Sequence, residues 1–154
     1  MKAVVQRAVD AVVTADGAVT GKITHGLLIY IGICDSDDEI ICMKMADKLS
    51  KLRIFRDENG KMNKSVSDVN GQIMVISQFT LFADIRQGNR PYFGNAGNPE
   101  KARKLYEVFV NDLKSLGYTV QCGVFGAHMH VKYENDGPVT IIADSDELFL
   151  NKDR

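Results

Sequence analysis

The sequence predicts an α+β fold, one barrel-like curved β-sheet carrying two principal helices. Two observations lead there. Strand-like segments outnumber helical ones. The first three strand-like segments follow one another with no helix between them, which argues against a doubly wound parallel sheet.

Lys2–Ala8 reads as a strand. Val9–Val13 and Ala18–Ile23 read as a hairpin about the turn signal Ala15-Asp16-Gly17. Gly26–Ile33 is apolar almost throughout and reads as a central strand. Ser36-Asp37-Asp38-Glu39 has the capping-box pattern, and the helix it opens places Ile41, Met45, Leu49 and Leu52 on one face. Arg53-Ile54-Phe55 reads as a short strand before the turn Asp57-Glu58-Asn59-Gly60. Gln72–Phe82 reads as a strand whose first half, Ile73-Met74-Val75-Ile76, is buried. Asn98-Pro99-Glu100 supplies an N-cap, a proline at N1 and an acidic first turn. That helix turns Ala102, Leu105, Tyr106, Phe109, Leu113 and Leu116 inward and ends at Gly117. Thr119–Gln121, Met129–Tyr133 and Val139–Ala143 read as further strands. No repeat or linker interrupts the chain, so 1–154 is one domain, with 144–154 a peripheral tail.

The chain is long enough for a sizeable core and has the composition of an ordinary soluble protein. It has no apolar run of membrane-spanning length and no signal-peptide pattern at its start. A net charge of −1 excludes a generally basic nucleic-acid binder but leaves room for a local patch. Cys34, Cys42 and Cys122 are odd in number and form no Cys-x-x-Cys pair, which fits free thiols in a reducing cytoplasm; a catalytic thiol is the alternative. His128 and His130 fall on one strand face, but no third metal ligand is evident nearby.

Polar residues at the end of a core strand mark the first candidate site. Ser77, Gln78 and Thr80 occupy positions where a plain core strand carries Val or Ile, and a buried hydroxyl or amide is costly without a partner. The competing reading is a strand leaving the core for solvent. Ala83–Asn98 is long and aperiodic and holds Arg86, Arg90, Tyr92 and Phe93, cations and rings suited to a single-stranded RNA end; an ordinary mobile loop is the alternative. Asn135-Asp136-Gly137-Pro138-Val139-Thr140 reads from its residues alone as a simple turn before a strand. There is no Gly-x-Ser-x-Gly, no P-loop and no dinucleotide fingerprint.

Several segments together resemble the D-aminoacyl-tRNA deacylases. They are Val5-Gln6-Arg7, Gly26-Leu27-Leu28 with Gly32, Leu52-Arg53-Ile54-Phe55, and Gly60-Lys61-Met62-Asn63. Then come Ser77-Gln78-Phe79-Thr80-Leu81, Gly88-x-Arg90-Pro91, Phe125 with Met129, and Asn135 to Thr140. Only the tail from Asp144 falls outside the strong match.

The resemblance implies a cytoplasmic homodimer with active sites at the subunit interface and neither cofactor nor metal. It implies hydrolysis of the ester joining a D-amino acid, or mischarged glycine, to the 3′ end of tRNA, a chiral proofreading activity. Catalysis falls to Ser77, Gln78, Phe79 and Thr80, with backbone N–H groups around Gln78 to Thr80 as oxyanion donors. Thr80 has no histidine or lysine beside it in sequence, so positioning with help from the substrate 2′-hydroxyl is favoured over covalent attack. Selection falls to Gly137 and Pro138, joined by a cis bond, reaching into the partner's site and held by Arg7. Phe125 and Met129 resemble the adenosine pocket, and Arg86 and Arg90 are candidate tRNA contacts. A non-catalytic tRNA-binding module and a general esterase remain the competing functions, the latter opposed by the lack of a serine-triad pattern.

Overall fold

The computed structural model describes residues 1–150. Its main sheet has five strands in the order β6-β5-β2-β1-β7, and both outer strands are free edges, so the sheet curls without closing into a barrel. These strands are β1 (Lys2–Ala15), β2 (Ala18–Gly32), β5 (Gln72–Ser77), β6 (Val120–Cys122) and β7 (Met129–Asp144). A two-stranded hairpin of β3 (Phe55–Arg56) and β4 (Met62–Lys64) stands apart. The α-helices among the described residues are α1 (Glu39–Ser50) and α2 (Pro99–Ser115), and a short π-helical turn follows β7 at Asp146–Leu150. The part of the 144–154 tail at 151–154 lies outside the described residues, and the described part is not wholly peripheral. Ser145 is buried and its N–H bonds to the Met1 carbonyl, while Phe149 packs against the core.

The segments read separately as 2–8 and 9–13 are one strand, and 18–23 joins 26–33. Bulges hid this continuity. The β1–β7 register shifts between Gln6 and Ala8 and between Val9 and Val12, and Asp10 has φ +50°. The shift at Asp10 adds one residue to β1 and so changes which face its alternation serves, whereas the extra residues of the first shift lie in β7. Ala3 and Val5 face the layer containing both helices; Ala8, of opposite parity, is joined across the Asp10 bulge by Ala11 and Val13, and they meet Leu28, Met74 and Ile76 in a second cluster. Likewise Met129–Tyr133 and Val139–Ala143 are two ends of β7.

The helix boundaries follow their caps. Asp38, not Ser36, is the N-cap of α1, its carboxylate accepting from the Ile41 N–H at 2.8 Å. Asp37 instead turns inward, accepting from the Cys34 N–H at 2.8 Å and meeting the Met1 ammonium at 2.6 Å. The buried face of α1 is Cys42, Met45, Ala46 and Leu49, with Ile41 and Leu52 half-buried. In α2, Asn98 caps the Glu100 and Lys101 amides. At its end, Gly117 (φ +92°) bonds to Lys114 and Tyr118 to Leu113, a Schellman closure. Leu116 is the C-cap and is 46% exposed, so it leaves the inward stripe. All three cysteines are free thiols, and burial pushes the Cys42 thiol up to about 12.

β5 pairs in parallel with β2 and stops at Ser77, one residue pair before β2 ends at Gly32. Phe79–Phe82 is a 3-10 turn rather than the continuation of a strand. The turn crosses the end of β2, and Gly32 permits the crossing: a Cβ there would lie 2.9 Å from the Gln78 carbonyl oxygen.

Candidate active site

A cavity of about 780 Å³ opens at the carboxyl ends of β2 and β5, within the ordinary size range for a small-molecule site. Its walls are mainly apolar, including Ile31, Ile76, Phe93, Phe125 and Met129. Polar groups enter from Ser77, Gln78, Asp35, Asn98 and His128. Phe125 is braced from behind. Its ring lies 5.8 Å from that of Tyr106, whose hydroxyl donates to the Val75 carbonyl, and the Arg103 guanidinium sits 5.3 Å over it. Burial pushes the Tyr106 and Cys122 pKa values upward, so both stay protonated at neutral pH.

The turn above the cavity leaves donors uncommitted. The Gln78 N–H is spent on the Ile31 carbonyl at 2.8 Å, which removes it from the expected set of oxyanion donors. The next amide to bond is that of Leu81, to the Gln78 carbonyl. Among the described residues, the Phe79 and Thr80 amides have no protein acceptor. The Gln78 side-chain amide donates to the Thr80 hydroxyl, and no base pairs with that hydroxyl. Phe79 is 58% exposed and meets Phe93 edge-on at 5.1 Å, so the following loop leans over the turn.

On β7, the segment Asp136–Val139 leaves the sheet. β1 and β7 pair at Gln6–Thr140 and again at Ala8–Asn135, so four residues of β7 stand opposite Arg7 alone. The Gly137–Pro138 peptide is cis. Arg7 is 4% exposed and lies under this excursion. Its Nη1 donates to the Ile54 carbonyl at 2.7 Å, and its Nε lies 2.8 Å from the Asp136 carboxylate, an ion-pair contact outside hydrogen-bond angles. A relay of side chains closes the base. Tyr133 donates to Gln6, Gln6 and Asn135 both donate to the Thr140 hydroxyl, and the Val139 N–H donates to Asn135 at 3.1 Å.

The loop after the turn is better tied than its composition suggests. Asp84 and Tyr92 bridge antiparallel, the Gly97 N–H reaches the Ile33 carbonyl, and the Asn98 N–H donates to Asp35 at 2.7 Å. Arg86 forks onto Asp84 and holds that carboxyl down at about 2, so the two charges cancel locally. Arg90 is exposed, with no acidic partner among the described residues.

The cavity thus brings together Ser77, Gln78, Phe79, Phe125 and Met129 from the expected set. Thr80, Arg7, Gly137, Pro138, Arg86 and Arg90 do not line it within this chain. Asp35, Asn98 and His128 escaped sequence reasoning as site residues. The first two arrive through loop closure, which leaves no periodic signal, and His128 lies one residue before β7 with only His130 nearby, ring centroids 5.0 Å apart. No cluster of three metal-ligating side chains occurs among the described residues.

The chain matches known proteins over nearly its whole length. The family described as D-Tyr-tRNA(Tyr) deacylase matches residues 4–144. The D-aminoacyl-tRNA deacylase of Thermotoga petrophila is 52% identical over 149 residues, 97% of this chain and 100% of that protein. That of Deinococcus radiodurans is 51% identical over 94% of this chain and 99% of its own length. Among solved structures, the c-Myc DNA Unwinding Element Binding Protein superimposes with a TM-score of 0.87 at 40% identity, covering 94% of this chain and 98% of its own. A probable eukaryotic D-amino acid tRNA deacylase shares the fold, with a TM-score of 0.79 at 15% identity over 92% of this chain and 97% of its own.

Proposed function

The chain belongs to the D-aminoacyl-tRNA deacylase family, hydrolases acting on aminoacyl-tRNA, and from that premise we propose how its residues divide the work. The single observation that carries the reading is the pair of uncommitted amides, Phe79 and Thr80, beside the apolar cavity. The terminal adenosine enters the cavity, where Phe125 and Met129 pack on the base. The ester carbonyl then lies under the turn. Water adds to the carbonyl carbon, and the two amides receive the developing oxyanion. Collapse breaks the bond to the 3′ oxygen, which takes up a proton, giving a free amino acid and a 3′-hydroxyl on tRNA. Ser77 and Gln78 shape the mouth, and Gln78 orients the Thr80 hydroxyl toward substrate or water. The substrate 2′-hydroxyl assists proton movement, since no protein base stands beside Thr80.

Chiral selection belongs to the Gly137-Pro138 excursion, acting across a homodimer. Two features support the trans arrangement. The excursion does not line the cavity of its own chain. The edge strand β7 also presents unpaired backbone and an 80% exposed Ile142, which a second copy would cover. A selector made of main chain tests the α-carbon and ignores the side chain, so the enzyme takes many D-amino acids and also glycine. Translation proofreading in the cytoplasm follows from that substrate range. Arg90 and, with its charge shared by Asp84, Arg86 lie on the loop nearest the mouth and contact the acceptor stem.

The test compares turnover of D-aminoacyl-tRNA, the L-ester on the same tRNA, glycyl-tRNA and a free D-amino acid ester. The reading requires fast release from the first and third, slow release from the second and little from the last. Binding without turnover would leave a tRNA-binding module. Equal turnover of the free ester would leave a general esterase.

A further inference from the structure

Two segments on which the family resemblance rests, Leu52–Phe55 and Gly60–Asn63, lie outside both the cavity and the selector. They build the β3–β4 hairpin. Ile54 and Phe55 anchor it in the core. Asp57 folds its turn, accepting from the Asn59 and Lys61 amides at 2.9 and 3.0 Å and from the Asn63 side chain at 3.2 Å, bonds that hold its carboxyl below the usual range. Arg53 clips the two ends, its Nε donating to the Asn63 carbonyl at 2.7 Å and its Nη2 to the Asn63 side-chain oxygen. Both acceptors are neutral, so Arg53 keeps its full charge.

The hairpin is locally cationic in a chain of net charge −1. Residues 51–64 hold five cations against two acids. Lys51 is paired with Asp47 and Lys64 with Glu58. Arg53, Arg56 and Lys61 are exposed and have no acidic partner among the described residues. Arg56 also stands opposite Met62, which is 60% exposed.

Arg7 fixes where these charges sit. One guanidinium touches the Ile54 carbonyl and the Asp136 carboxylate, and a Cβ on Gly137 would lie 3.0 Å from its Nη2. The hairpin therefore lies a single side chain from the selector and travels with it. We propose that the β3–β4 hairpin is a phosphate-binding surface for the acceptor end of a tRNA seated in the partner subunit's pocket, with Arg53, Arg56 and Lys61 as its contacts. The inference rests on the cross-subunit reading of the selector. Separated cations around one exposed large apolar side chain, Met62, suit a phosphate backbone better than a protein interface.

The test is Arg56→Ala combined with Lys61→Ala, leaving Arg53 to hold the hairpin. Affinity for D-aminoacyl-tRNA should fall several-fold, and the log–log dependence of binding on salt should flatten by roughly 1.4–1.8 for two lost phosphate contacts. Turnover of D-aminoacyl-adenosine, which has no phosphate, and D-over-L discrimination should hold. Mixed dimers then locate the effect, using Ala96→Trp to fill one cavity. A dimer whose open pocket faces the altered hairpin should bind tRNA weakly, and the reverse pairing should bind normally. Unchanged affinity and salt slope in an authentic dimer, or a defect confined to the altered chain's own pocket, overturns the hairpin assignment alone. A monomer that retains chiral selection overturns the cross-subunit reading beneath it.

Discussion

The turn at Ser77–Phe82 and the excursion at Asn135–Thr140 are both breaks in strands, and they are built in opposite ways. The turn leaves two amides uncommitted, beside an exposed aromatic at the edge of an apolar cavity. At the excursion, the side chains of Asn135, Thr140, Gln6 and Tyr133 are joined by hydrogen bonds, and Arg7 pairs with Asp136. On the proposed reading, the contrast separates chemistry from geometry. A site that must receive a developing charge keeps its donors free. A site that must reject a shape within a fraction of an ångström needs its backbone fixed.

Three experiments press on this contrast. The largest effect is expected for Arg7→Ala. It strips a buried partner from the Ile54 carbonyl and the ion pair from half-exposed Asp136, so unfolding in urea should show a loss of about 3 kcal/mol. Turnover of the L-ester should rise in the same variant. Arg7→Lys, which keeps the charge and loses the fork, should restore stability more than selectivity. Full chiral discrimination in a folded Arg7→Ala enzyme would mean that the excursion holds its shape unaided.

On the turn, Thr80→Ala removes a hydroxyl but leaves the amides. The fall in turnover should not exceed the roughly 10²–10³-fold seen on losing one oxyanion donor. Quenched reactions read by mass spectrometry should contain no acylated Thr80 peptide. Abolished turnover together with such a peptide would make this hydroxyl the nucleophile.

The smallest effect at neutral pH concerns the helix layer, whose stability should answer to alkaline pH independently of either region. The Cys42 thiol ionises near 9 when unfolded and near 12 when folded, because burial, then Asp37, opposes its thiolate. Between those values the unfolded chain holds fewer protons, so stability falls as pH rises, by at most about 1.4 kcal/mol per pH unit. Cys42→Val should flatten this alkaline limb without changing D-over-L discrimination. An unaltered limb would assign it to other groups.

Much of the fold could be read from local signals. Asn98-Pro99 and Gly117 bracket α2 because capping is a property of adjacent residues. The Ala15-Asp16-Gly17 hairpin turn is legible for the same reason. The continuity of β1 was not legible, since the bulge at Asp10 shifts the alternation by which strands are recognised. Leu116 kept the helical spacing yet became a cap, and periodicity carries no information about where the last turn stops. At the site, Ser77 and Gln78 stood out as polar residues ending a core strand. The loss of the Gln78 amide to Ile31 depends on β2 and β5 running in parallel, a tertiary fact. Asp35 and Asn98 meet across sixty-odd residues and had no local signature.

The four-against-one register opposite Arg7 bears on how such a protein can change over generations. The ladder is complete at Gln6–Thr140 and at Ala8–Asn135, so the sheet is indifferent to the residues between. On the proposed reading, substitutions at Asp136–Val139 alter what the protrusion rejects while the strands on either side keep their pairing. Drift in substrate range and maintenance of the scaffold thus fall on different residues of one strand. Arg7 is the exception that belongs to both, the position through which a lineage would have to retune the two together.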